Sequence, residues 1–157
     1  MRSQAVHWFD TENDRVPPNY LELLTRFAEL AHSRVNIEKI SMQGADEGGR
    51  EATQHEILLL FDGRPARILV KDLGDWFDVG GLLGQLNTEI AASGKSDRFL
   101  TLHSDDQSAQ VVLGNAAKRL ALRREYDFPV ADDPDAPVHT GQEYERRVLA
   151  EMGKSKR

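Results

Sequence analysis

The apolar positions of this chain change period several times, and each change marks an element boundary. Leu23, Leu24, Phe27, Leu30 and Ala31 recur at helical spacing and predict a helix over Pro18–Ser33, with the prolines in its first turn. Val35–Met42 follows as a strand. Val35 and Ile37 are out of phase with Ile40 and Met42, which calls for a bulge or a twist. The unbroken run within His55–Phe61 predicts a central strand covered on both faces. Asp62-Gly63 suits a tight hairpin turn, and Arg64–Lys71 is the return strand with Pro65 near its start. Asp78 is placed to cap a helix whose stripe is Val79, Leu82, Leu83, Leu86 and Ile90, ended by Gly94. Gly80, Gly81 and Gly84 weaken that helix, and close packing against another backbone is the expected compensation. Arg98–His103 and Ala109–Leu113 form a further hairpin around Ser104-Asp105-Asp106-Gln107; the competing reading begins a helix at Asp105. Asn115 then caps a helix reaching about Glu125.

The flanks differ in composition from this core. Residues 1–16 read as an arm rich in Asp, Glu and Asn, in which His7-Trp8-Phe9 either packs back as an extra strand or stays free. Residues 129–139 form an acidic, proline-rich linker. Thr140-Gly141-Gln142-Glu143 matches a capping box for an amphipathic helix lined by Tyr144, Val148, Leu149 and Met152, and a basic tail completes segment 140–157. The exposed loop Gln43–Ala52 is rich in Gly and charge. The expected fold is therefore α+β over residues 17–128. It is a single five-stranded, mostly antiparallel sheet with flanking helices, in the order α-β-β-β-α-β-β-α, plus an appended C-terminal helix.

Charge and composition narrow the function. With 20 Lys+Arg against 26 Asp+Glu, the net charge of −6 argues against direct nucleic-acid binding. The absence of cysteine excludes disulfides, thiol nucleophiles and thiolate metal sites. Neither a signal-like apolar run nor a membrane-length stretch is evident, so the expected location is the cytoplasm, with no membrane partner.

Candidate catalytic sets fall short. His7, His32, His55, His103 and His139 lack helical metal-pair spacing, and Asp72, Asp75 and Asp78 do not follow a calcium-loop pattern. The expectation is no metal and no cofactor. Ser104 adjoins His103, but strand neighbours point to opposite faces. Gly80-Gly81-Leu82-Leu83-Gly84 lacks the Lys-Ser/Thr of a phosphate loop. The element order resembles the core of PD-(D/E)xK nucleases, which need carboxylates and a lysine converging on magnesium. Here Leu69 stands at the carboxylate position before Lys71, and Glu56 supplies one ligand at most. The composition of Asp72–Asp78, with Trp76 and Phe77 among carboxylates, fits an interface anchor with a charged rim. The candidate partner-binding residues are Asp72, Asp75, Trp76, Phe77, Asp78, Asp105, Asp106 and Gln107, their two loops meeting at one end of the sheet. The alternative places Trp76 in the core with the aspartates as solvated caps.

The segments Glu56–Gly63, Gly74–Asp78, Leu86-Asn87, Arg98–Leu100, Asp106–Ala109 and Val111-Val112 together resemble small immunity proteins of bacterial polymorphic-toxin and contact-dependent inhibition systems. That resemblance implies a non-enzymatic cytoplasmic antidote that binds and occludes a cognate, basic toxin domain. It carries no functional residue over, since such families vary most at the binding surface. An adaptor docking through the C-terminal helix is a further alternative.

Overall fold

In the computed structural model, residues 6–43, 53–102 and 107–126 are described. They form β1 (His7–Asp10), α1 (Tyr20–Ala31), β2 (Ile37–Gln43), β3 (Gln54–Phe61), β4 (Arg64–Lys71), α2 (Val79–Ala92), β5 (Arg98–Leu102), β6 (Ser108–Gly114) and α3 (Ala116–Tyr126). The α+β class holds, but the single five-stranded sheet does not. The strands make two three-stranded antiparallel sheets, ordered β2-β3-β4 and β1-β6-β5.

Local chemistry sets most boundaries. Asn19 and Asp78 cap α1 and α2 by accepting from Glu22 N and Gly81 N. Asn115 accepts from Lys118 N at the start of α3. Asp62 and Gly63 both take positive φ, +48° and +77°, as a primed hairpin turn requires. The phase change in β2 is a bulge: its register on β3 slips between Glu38 and Ser41, with Lys39 at φ +50°. His7–Asp10 packs back on β6 as a strand, with His7 and Phe9 facing the interior and Trp8 and Asp10 facing out.

β3 is central in its sheet, yet it is not covered equally on both faces. His55, Ile57, Leu59 and Phe61 are buried, whereas Glu56, Leu58 and Leu60 are half-buried. The apolar run conceals an ordinary alternation with one core face.

The reason for two sheets lies in α2. Its Gln85 amide accepts from Leu69 N at 2.8 Å and donates to Leu69 O, on the edge of β4. Its Asn87 amide accepts from Phe99 N at 2.7 Å and donates to Phe99 O at 3.1 Å, on the edge of β5. Helix side chains thus occupy the two edges that would otherwise pair. Around this seam an aromatic chain joins the elements: Tyr20 and Phe9 each meet Phe77 edge-on, and Phe27 lies between Phe9 and Phe99.

Neither Gly81 nor Gly84 of α2 provides close packing of the helix against another element. A Cβ at Gly81 would collide with the Asp78 carboxylate, 2.2 Å from Oδ2, whereas a Cβ at Gly84 would meet nothing within 4 Å. Gly81 makes room for its own helix cap, and Gly84 has no packing role. Gly84→Ala is therefore expected to stabilise the fold by about 0.5–1 kcal/mol. Asn87→Ala, at a side chain 1% exposed, leaves both polar groups of Phe99 unpaired in the interior. It is expected to cost about 1–3 kcal/mol. Urea denaturation of the two variants against the parent chain checks both signs.

Candidate functional site

The segment Asp72–Asp78 is a tight connection between β4 and α2, and backbone pairing ties it down. Asp72 N donates to Thr53 O, and Asp72 Oδ1 accepts from Gly74 N, where φ is +71°. Asn13 N donates to Asp75 O, and Phe77 N donates to Thr11 O, so Glu12 lies opposite Trp76. Thr11 also donates from both N and Oγ1 to Gln107 O. Through Thr11 the structure brings Gln107 beside Asp75–Phe77, two of the sequence-predicted groups. Asp105 and Asp106 lie outside the described residues, as do the linker 129–139 and the segment 140–157.

The aromatic pair in this segment faces inward. Phe77 is 4% exposed and packs on Phe9 and Tyr20; Trp76 is 7% exposed. Asp78 is buried with them, and its carboxylate accepts from Gly81 N at 3.0 Å and Lys71 N at 2.9 Å. That carboxylate caps the helix and closes the end of β4's free edge, which is structural work. Asp72 is exposed and Asp75 half-buried, so these two keep their charge near solvent.

The exposed tryptophan of this region is Trp8. It is 61% exposed on the outer face of β1, with Asp10 next on that face and exposed Glu12 beyond it. Asp10 Oδ1 accepts from Glu12 N at 3.1 Å, and Asn13 joins this stretch to Asp75. A row of one indole and several carboxylates therefore runs from β1 onto the β4–α2 connection. Sequence reasoning placed the anchor at Trp76, the tryptophan flanked by aspartates. The signal for Trp8 was the alternation of His7-Trp8-Phe9-Asp10, hidden because three of the four residues are aromatic.

His103, Ser104 and His139 lie outside the described residues. Glu56, which a nuclease site would need, is held by Arg67 and lies opposite Leu69 across the ladder. Among the described residues, no group of three or more His, Asp or Glu side chains is placed to hold a metal ion. His55 Nε2 is buried 3.6 Å from Asp72 Oδ2, outside hydrogen-bond range, and has no hydrogen-bond partner among the described residues. No described helix is long and apolar enough to cross a membrane.

Comparison with known proteins brings no match, whether among protein-family models, curated proteins or solved structures.

Among the described residues of the site, Tyr20 has a strongly perturbed ionisation, and its hydroxyl accepts from Asp78 N at 2.7 Å. Burial pushes its phenol well above the usual value of 10; the Asp78 backbone hydrogen bond opposes this, and the charges of Asp78 and Asp72 reinforce it. The folded state therefore prefers the neutral phenol. Its contribution to stability is complete below pH 10 and is lost as the pH rises beyond the unfolded-state value. Unfolding curves above pH 10 should show this loss in the parent chain, and Tyr20→Phe should lack that share of it. At neutral pH the same variant should be less stable by about 1–3 kcal/mol, because Asp78 N loses its acceptor.

Proposed function

We propose that this chain is a non-enzymatic binding protein of the immunity type, an antidote that occludes a basic toxin domain. The observation that carries the reading is Trp8, exposed on β1, with exposed Asp10 next on its face, exposed Glu12 beyond it, and Asp75 joined to that stretch through Asn13. An exposed indole with an acidic rim has the make-up of an interface anchor, since tryptophan supplies large contact area at low entropic cost. The carboxylates, on a chain of net charge −6, favour a basic partner and speed its encounter. Occlusion needs no catalytic group.

The test is affinity purification of the tagged full chain from its native host, with intact-mass identification of stoichiometric partners. A basic toxin domain held one-to-one and inhibited by the chain is the expected result. Recovery of the chain alone, or a captured domain that keeps full activity, overturns the reading. With that partner, Trp8→Ala should weaken binding by at least about 2 kcal/mol if Trp8 is the anchor. Asp10→Lys combined with Asp75→Lys should slow association and flatten its dependence on salt. Stopped-flow association at low and high ionic strength reads both effects.

A further inference from the structure

We infer that the free edge of β1 is a strand-addition site that takes an extended, basic segment of a partner protein; the inference rests on the binding reading above. Four strands lie at sheet edges: β2 and β4 in one sheet, β1 and β5 in the other. Unpaired edges template further strands, and folded proteins usually block them. β2 is blocked by its bulge, with Lys39 in the left-handed region. Along β4, Pro65 has no N–H, Gln85 covers both polar groups of Leu69, and Asp78 covers Lys71 N. On β5, Asn87 covers both polar groups of Phe99.

β1 carries no such device among the described residues. Asp10 lies opposite Ser108, and the next residue, Thr11, donates from N to Gln107 O. That bond fixes the parity of the antiparallel ladder, in which bonded and non-bonded pairs alternate. His7 and Phe9 turn their backbone groups toward β6, and Trp8 and Asp10 turn theirs away from it. No described side chain hydrogen-bonds the backbone of Trp8 or Asp10.

The strand carries the exposed indole and the exposed carboxylate of Asp10, and the chain just beyond it carries the exposed carboxylates of Glu12 and Asp14. An added strand would present alternate residues to this outer face. Lys or Arg there would meet Asp10, and an apolar residue would lie against Trp8. A second copy of this edge would instead bring like charges together, which disfavours self-pairing.

Amide hydrogen exchange of the full chain, followed by NMR, tests the site with a short alternating Lys-Val peptide as probe. In the free protein the Trp8 and Asp10 amides should exchange rapidly and the Phe9 amide slowly. Saturating peptide should slow Trp8 and Asp10 by at least about tenfold. A peptide N-methylated at alternate residues should give no protection, a control that leaves the protein untouched. Asp10→Pro, which removes the outward N–H, should abolish protection at Trp8, whereas Asp10→Asn should retain it with a weaker salt dependence. Peptide binding without protection of these amides overturns strand addition and leaves the binding function standing. Failure of the peptide to bind at millimolar concentration also overturns it. So does protection already present in the free protein: at all concentrations it marks another segment of the same chain, and only at high concentration it marks a second copy.

Discussion

Gln85 and Asn87 stand two residues apart on α2, and their side-chain amides hold the seam between the two sheets. Two helical residues at that spacing project about 200° apart around the axis. One therefore reaches β4 while the other reaches β5, and the helix lies between two strand edges as a missing strand would. A carboxamide can do this because it offers a donor and an acceptor from one planar group, the same pair that a peptide unit offers. Aspartate or glutamate would supply acceptors alone, and leucine would leave four backbone groups unmet. The aromatic chain from Tyr20 through Phe77, Phe9 and Phe27 to Phe99 fills the space that this arrangement creates.

The acidic segment between β4 and α2 follows from the same constraint. α2 must begin where β4 ends, so the connection is short and its polar groups need local partners. Asp78 serves two elements with one side chain, capping α2 through Gly81 N and holding Lys71 N on the strand. Tyr20 of α1 accepts from Asp78 N, which fixes the first helix to the same point. Thr11 links the segment to β1 and Gln107. A cluster that reads as surface chemistry in the sequence is therefore divided by depth. Asp78 is interior architecture, while Asp72 and Asp75 keep their charge toward solvent.

What could be read from the sequence was local, and what could not was long-range. The caps at Asp78 and Asn115, the Asp62-Gly63 turn and the out-of-phase β2 each depend on a few neighbouring residues. Helix periodicity likewise exposes the stripe from Val79 to Ile90. The split into two sheets depends on where Gln85 and Asn87 point across the core; helical spacing puts Asn87 on the stripe with Leu83 and Ile90 but does not say which strand its amide meets. The tryptophans show the same limit. Trp76 sits among aspartates and is interior; Trp8 sits between two interior-facing aromatics and is exposed. Sequence context points to Trp76 as the surface tryptophan because carboxylate neighbours report the polarity of a turn, not the direction of a side chain within it.

Edge protection connects the architecture to recognition. A fold that divides its strands into two sheets exposes four edges where one sheet would expose two, and each needs an answer. Here α2 answers two of them at once, because its position between the sheets places Gln85, Asn87 and the Asp78 cap against β4 and β5. The bulge answers a third. β1 has no α2 side chain hydrogen-bonded along its edge among the described residues, and it is too short to bulge without losing its register on β6. It is left with charge as its protection, supplied by Asp10, Glu12 and Asp14. Charge differs from the other devices in being selective. It repels an acidic or identical edge but attracts a basic one, so in the proposed strand addition the same carboxylates would both oppose self-pairing and select the partner.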